Sequence, residues 1–429
     1  MTDARFTSSL SHDLAADLLA RFVCYVRIDT QARRDRERSP STPGQLELGA
    51  LLVEELRVAG LTDVAQDENG YVTASLTGTG PTIGLVAHLD TSPDAPGRDV
   101  RPIVHERWDG EVIELPRSGT RLDPEAIPEL RGKLGHDIVT ASGDTLLGAD
   151  DKAGVAIIMA AVARLAATPE LPRANLKVCF TPDEEIGEGA TLFDIPGFGA
   201  QCAYTLDGSA LGEIQDETFS AQEAILTVDG VDVHPGQATG KLVSALRLAA
   251  RIVAALPPEL TPEATAGRQG FIHPYELTGT AAHARIRAIV RDFDDDKLTQ
   301  HVELLRRVAE GVVASEPKAR LRVDVKTQYR NMRRYLDEVP DVTAAAVEAI
   351  RAEGIEPIQT PIRGGTDGSR LSEMGLPTPN IFTGGHEYHS VREWASVQDM
   401  AAAAAVVVRL AGVWAHARPT TSTHAPESL

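Results

Sequence analysis

Leu146-Leu147-Gly148-Ala149-Asp150-Asp151-Lys152-Ala153-Gly154 follows the turn-forming Ser142-Gly143-Asp144 and runs straight into Val155-Ala156-Ile157-Ile158-Met159-Ala160-Ala161-Val162. The apolar run favours a helix buried over most of its surface. Two adjacent carboxylates at the mouth of such a helix are costly unless something compensates them. Two readings stand. Asp is a favoured N-cap, and first-turn acids complement the helix dipole. Alternatively, a cation is held there.

Working outward, the flanking segments alternate between short apolar runs and helical patterns. Ile83-Gly84-Leu85-Val86-Ala87 ends in His88-Leu89-Asp90, and Leu176-Lys177-Val178-Cys179-Phe180 leads into Thr181-Pro182-Asp183-Glu184-Glu185. Ala203-Tyr204-Thr205-Leu206 leads into Asp207-Gly208-Ser209. Such runs fit strands covered on both faces. The alternation predicts an α/β fold whose mostly parallel sheet lies between helices. Ligands of open α/β sheets gather at the carboxyl ends of the strands, where these polar residues fall. Ahead of them, Leu14 to Ile28 and Leu46 to Ala59 have helical spacing, the second closed by Gly60, and residues 93–142 read as an irregular excursion.

The pattern changes near Gly212. Ala221 to Val233, Ala284 to Val290 and Leu321 to Lys326 read as strands, Leu242 to Leu256 and Asp295 to Val313 as helices, with an extra strand around Phe271 to Glu276. That order suits an inserted α+β, ferredoxin-like domain. The expected organisation is a catalytic part over 1–213, an insert over 214–330, a second catalytic part over 331–418 and a disordered tail over 419–429.

At 429 residues, two or three domains are expected. A net charge of −20 argues against nucleic acid and anionic membrane as partners. Cys24, Cys179 and Cys202 are too few and scattered for a disulfide framework. No signal peptide and no run of transmembrane length is read, so a cytoplasmic protein is expected.

His88 with Asp90, Asp150, Glu184 with Glu185, Asp207, and His386 with His389 thus fall at strand ends or in loops. Each alone has an ordinary explanation: an interior histidine, a solvated acidic turn, an Asp-Gly turn or a surface imidazole. Their shared edge of the sheet is harder to explain that way. Mixed imidazole and carboxylate ligands suit zinc, cobalt or manganese better than calcium. Two His and three carboxylates are the inventory of a two-metal site with one bridging carboxylate. Of two adjacent glutamates, one can ligate while the other moves a proton.

His88-Leu89-Asp90-Thr91-Ser92-Pro93-Asp94, Gly148-Ala149-Asp150-Asp151-Lys152-Ala153-Gly154 and Phe180-Thr181-Pro182-Asp183-Glu184-Glu185-Ile186-Gly187 closely resemble the peptidase T family. That family is the tripeptide aminopeptidase branch of the co-catalytic zinc exopeptidases. Tyr204 to Gly208, Val233-His234-Pro235-Gly236, Arg291 to Asp294 and Asn380 to Gly385 extend the resemblance, which runs from Arg21 to about Trp394.

The resemblance implies two zinc ions per subunit bridged by Asp150, one also held by His88 and Asp207, the other by Glu185 and His389. It implies Glu184 as general base, Asp90 orienting His88, and a cis peptide between Asp150 and Asp151. It makes the insert a lid and homodimerisation surface, with His234 supplying an oxyanion donor in cis or in trans. Arg291 and Arg363 are the candidates to grip a peptide carboxylate, since a planar guanidinium matches it bidentately. Ser209 stands where the family commonly has glycine, and His386 is an additional imidazole near His389.

The expected activity is therefore release of the N-terminal residue from tripeptides. Rival readings are a related dinuclear amidohydrolase (dipeptidase, carboxypeptidase or N-acyl amino-acid deacylase) and a non-catalytic scaffold.

Overall fold

The computed structural model describes residues 3–417; the tail expected over 419–429 lies outside them. The chain forms two compact units. The first takes the chain up to Asp216, then Arg334–Thr360, then the chain from Thr366 onward; the second takes Glu217–Arg333 with Pro361–Gly365.

The first unit opens with helices α1 (Ser9–Tyr25) and α2 (Pro43–Val58). Ser8 and Ser11 close a capping box at the start of α1, and Pro43 starts α2 where its missing N–H costs nothing. Strands β1 (Thr62–Gln66), β2 (Val72–Leu76), β3 (Thr82–His88), β4 (Asn175–Thr181), β5 (Cys202–Gly208) and β6 (Glu213–Gln215) follow, with helix α3 (Ala149–Ala167) between β3 and β4. The 8-stranded sheet is completed by β11 (Ile358–Gln359) and β12 (Asn380–Phe382), in the order β1-β2-β4-β3-β5-β12-β6-β11. Its centre, β4-β3-β5-β12, is parallel, whereas β1, β2 and β6 join antiparallel, so the sheet is mixed.

Helix α3 packs on β3 and β5, and α7 (Val397–His416) packs against α1, α3 and α6 (Asp341–Ala352). Val155, Ile157, Ile158, Met159 and Val162 of α3 are all fully buried, and each such side chain contributes roughly 1.5–3 kcal/mol of transfer free energy. Gly154 permits the close approach of α3 to β5, because a Cβ there would lie 1.9 Å from the Leu206 carbonyl oxygen. Contrary to the sequence expectation, α7 has the length and composition to cross a membrane, with 20 residues and a mean hydropathy of 1.4. It is a core helix, with 83% of its apolar window buried in the protein.

Residues 93–142 form short pieces. Ile103–His105 and Ile138–Thr140 pair with each other, and Ile138–Thr140 also pairs with Trp394–Ser396, in a small sheet that includes Gly385–His386. This sheet anchors the loop that carries His389.

The second unit runs β7 (Ser220–Asp229), α4 (Ala245–Ala255), β8 (Phe271–Gly279), β9 (His283–Asp292), α5 (Asp295–Val313) and β10 (Arg320–Tyr329). Its antiparallel sheet has the order β8-β9-β7-β10, the ferredoxin-like arrangement. Leu226, Val228, Ile286 and Val290 of the sheet share one core with Leu248 and Ile252 of α4 and Leu298 and Val302 of α5. Pro361–Gly365 falls within the stretch 331–418 that the sequence assigns to the second catalytic part. It belongs here instead because Phe219 N–H donates to the Ile362 carbonyl at 3.1 Å and Ile362 N–H to the Glu217 carbonyl at 2.8 Å.

Candidate active site

The two aspartates at the mouth of α3 have different surroundings. Asp151 is buried; its carboxylate accepts the Gly154 N–H at 3.1 Å and the His88 N–H at 3.0 Å. It thus caps α3 and ties that helix to the end of β3. Asp150, joined to it by a cis peptide, turns the other way. Its Oδ1 lies 2.9 Å from His88 Nε2, and its Oδ2 lies 3.1 Å from His389 Nε2.

Around Asp150 two groups form: His88, Asp150 and Asp207, and Asp150, Glu185 and His389. Within each, one ligand atom per residue lies within 4.8 Å of the others. Asp207 at the end of β5 is 3.9 Å from His88 Nε2, and Glu185 Oε2 is 2.9 Å from His389 Nε2. All five residues named from the sequence converge here. His386 does not join them. It stacks on Trp394 with ring centroids 4.2 Å apart, and its Nδ1 lies 3.2 Å from Ser209 Oγ. Ser209 in turn donates to the Gly385 carbonyl at 2.7 Å, so it anchors the loop carrying His389.

The donor set fits divalent cations. Burial and the neighbouring Asp150 carboxylate push Glu185 up to about 7. Burial, followed by Asp150 and Asp151, raises Asp207 well above the carboxylate range. Burial disfavours a charged His389, yet Asp150 and Glu185 together hold it up at about 11. Glu185 Oε1 is buried without a hydrogen-bond partner. Such crowded carboxylates suit positive charge, and Asp150 is placed where its two oxygens could serve two cations.

Glu184 belongs to neither of these two groups. Burial raises its carboxyl well above the usual range, with His88 countering and Asp367 adding to the effect. Glu184 and Glu185 start a short 3₁₀ turn between Asp183 (φ 60°) and Gly187 (φ 77°). The Asp183 carboxylate is held by the Ser41 N–H and the Gln45 amide, both at 2.8 Å.

The Asp90 carboxylate lies beside His88, with Oδ1 3.4 Å from Nδ1, and the Asp90 main-chain carbonyl faces the same Nδ1–H at 3.1 Å. The carboxylate accepts the N–H groups of Glu184 at 3.0 Å and Glu185 at 3.1 Å. Asp90 therefore couples the end of β3 to the Glu184–Glu185 turn.

The remaining predicted residues lie in the second unit. His234 is exposed, and its Nδ1 accepts the Gly236 N–H at 3.2 Å. Arg291 Nη1 donates to the Arg363 carbonyl at 3.3 Å, while its Nε is buried and unpartnered. Arg363 is occupied differently from the expectation. Its Nη1 donates to the Gly267 and Gln269 carbonyls at 2.8 and 3.0 Å, and its Nη2 to Thr265 Oγ1 at 2.9 Å. Its guanidinium also lies 5.3 Å from the Phe219 ring centroid and 5.7 Å from that of Phe271, within cation–π range. Arg363 secures the turn over residues 265–269.

Three residues near the centre were not singled out from the sequence. The Tyr388 hydroxyl donates to the Gly208 carbonyl at 2.9 Å, next to Asp207. Asp367 is buried and accepts the Thr181 hydroxyl at 2.6 Å. Glu393 accepts main-chain N–H groups at the start of α3. A side chain that bonds a distant backbone leaves no spacing signal; only burial in the fold reveals it.

His386 carries a pH prediction. Burial lowers it from an ordinary 6.5 to about 3. Below pH 6.5 the unfolded chain takes up this proton and the folded chain does not. Stability is therefore complete above pH 6.5 and falls with pH towards 3, by up to about 1.4 kcal/mol per unit from this group. Urea unfolding of wild type and His386→Gln between pH 7.5 and 4.5 tests it: the variant should show the shallower loss. Parallel curves would refute this assignment.

Residues 146–412 match the model of peptidase family M20/M25/M40. The chain belongs to this family. Peptidase T of Bacillus licheniformis is 44% identical over 398 residues, covering 92% of this chain and 97% of that one. The solved aminopeptidase PepT from Bacillus cereus superposes with a TM-score of 0.71 at 23% identity, covering 94% of this chain and 99% of that one. A tripeptidase from Staphylococcus aureus does so with a TM-score of 0.73 at 21% identity, with the same coverage. This M20/M25/M40 member is a hydrolase of peptide bonds, an aminopeptidase by its likeness to peptidase T over nearly its whole length.

Proposed function

We propose that the chain is a cytoplasmic, zinc-dependent aminopeptidase that removes the N-terminal residue from tripeptides and acts as a homodimer through its second unit. The observation that carries this reading is Asp150, shared between two groups that each combine an imidazole with carboxylates. The tripeptide preference is supported by the likeness to peptidase T.

His88, Asp150 and Asp207 would hold one ion, and Asp150, Glu185 and His389 the other. Such ions would supply Lewis acidity for the scissile carbonyl and for the attacking water. The chain's own residues do the rest. Glu184 takes a proton from the attacking water and delivers it to the departing amine. Asp90 keeps the Glu184 backbone in place through its two N–H bonds. His234 supplies a donor to the developing oxyanion, and Arg291 meets the peptide carboxylate.

Elemental analysis, with hydrolysis of a tripeptide followed before and after chelation, tests the reading. The expected result is about two zinc ions per chain, with N-terminal release abolished by chelator and restored by zinc. Acetylating the substrate amine should remove most of the rate. Preference for the acetylated peptide would replace this reading with a deacylase. No metal and no activity after zinc addition would overturn it. Mixing inactive His234→Ala with inactive Glu184→Gln protein should restore part of the rate if His234 acts across a dimer.

A further inference from the structure

We infer that Glu393 is a positioning residue for the metal centre, fixing the backbone that presents Asp150 to both histidines. The inference rests on the proposed role of Asp150 as the bridging ligand. Glu393 is 1% exposed. Its Oε2 accepts the N–H groups of Leu147 and Gly148, both at 2.7 Å, and its Oε1 accepts the Asp150 N–H at 3.0 Å. Its side-chain hydrogen bonds among the described residues are all to main-chain N–H groups of this one stretch.

The stretch needs such support. Gly148 is left-handed (φ 84°), and Asp150 and Asp151 depart from helical geometry (ψ 99° and 32°). The first N–H groups of a helix have no intrahelical acceptor. A local cap would be a Ser, Thr, Asp or Asn just before the helix. Gly148 occupies that place and offers no side chain. Asp151 caps only the turn beyond the kink, at Gly154; the acceptor for the Asp150 N–H comes from a residue 243 positions away in sequence.

That residue also lies four positions after His389. Glu387 (φ 57°) and His389 (φ 59°) both hold left-handed conformations that side chains rarely adopt. One tightly turned loop therefore supplies the His389 imidazole and the carboxylate that holds the Asp150 backbone. The 3.1 Å approach of His389 to Asp150 is set from both sides by that loop. Both oxygens of Glu393 are in use, so a glutamine of the same shape must turn its NH₂ towards an N–H group. A merely space-filling or stabilising residue would not show that sensitivity in the metal centre.

The test compares wild type, Glu393→Gln, Glu393→Asp and Leu18→Ala. Leu18 is fully buried in α1, and its truncation supplies a destabilised reference. Zinc affinity is read by competition with a chromophoric chelator, and the site by the visible spectrum of cobalt(II)-saturated protein. Metal-free melting and the separate values of kcat and KM complete the comparison.

The expected result is that Glu393→Gln weakens at least one zinc ion by about 10- to 100-fold, the range for supporting groups around metal ligands. Its cobalt bands shift at saturation, and kcat falls with KM nearly constant. Glu393→Asp, one methylene shorter, reaches only one side of the stretch and falls between wild type and Glu393→Gln. Leu18→Ala melts earlier but keeps wild-type zinc affinity and cobalt bands. Wild-type affinities and bands in Glu393→Gln, with only earlier melting, would overturn the inference. If Glu393→Gln does not fold, Glu393→Asp decides by the same readouts. Failure of wild type itself to bind zinc would be a failure of the metal reading, separable from this one.

Discussion

Glu184→Gln is expected to keep both zinc ions and lose turnover by about 10³-fold, within the range for a positioned acid–base group. The substitution preserves shape and removes only the ability to carry a proton. Glu184 lies outside both ligand groups, so the ions have no reason to leave. Its backbone is fixed by the Asp90 carboxylate rather than by its own side chain, so the turn remains in place. The loss should fall on kcat, with KM within a few-fold of wild type. Elemental analysis alongside steady-state kinetics checks both halves. Equal loss of metal and rate would mean that Glu184 is the ligand and Glu185 the proton carrier.

Asp150→Ala should do the reverse, removing both ions and with them all measurable hydrolysis, a fall of at least about 10⁴-fold if the two-metal reading holds. Asp150 is the only residue common to both groups. Its carboxyl is held below the usual range because, against the cost of burial, His389 and His88 favour its charged form. The fold should survive, because Asp151 supplies the cap of α3 and the tie to β3. A melt of the metal-free variant within about 1–2 kcal/mol of metal-free wild type is expected, the scale of a few altered surface or site contacts. Asp151→Ala should show the opposite balance, with the larger loss of stability. Retention of two zinc ions by Asp150→Ala would rule out the bridge.

The convergence of His88, Asp150, the Glu184–Glu185 pair and Asp207 is legible because each ends, or directly follows, an apolar run or helix start whose period is visible in the sequence; which glutamate joins the cluster comes only from the resemblance. His389 was separable from His386 only through the resemblance. Nothing in the local composition says which imidazole stacks on Trp394 and which faces Asp150. The α/β class was legible for the same periodic reason. The antiparallel joining of β6 was not, since three residues carry no directional signal.

Arg363 shows a different limit. Its planar guanidinium suits a carboxylate grip, but in three dimensions it meets the carbonyls of Gly267 and Gln269, about 95 residues away. Main-chain acceptors are identical at every position, so no sequence pattern announces them. Asp90 and Glu393 escaped full reading for the same reason, through main-chain donors.

The division of the first unit into three lengths of chain has a consequence for the order in which the protein is made. Four of the five proposed ligands lie before residue 208, whereas His389, Glu393 and α7 come in the last length, after the second unit has been threaded through. A chain emerging from the ribosome can complete the second unit's sandwich while α1 and α3 still wait for the helix that covers them. On the proposed ligand set, one ion would lack its imidazole, and Asp150 its backbone support, until this last length is made. On that reading, a chain cut before residue 389 is expected to be a poor peptidase however much of it has folded.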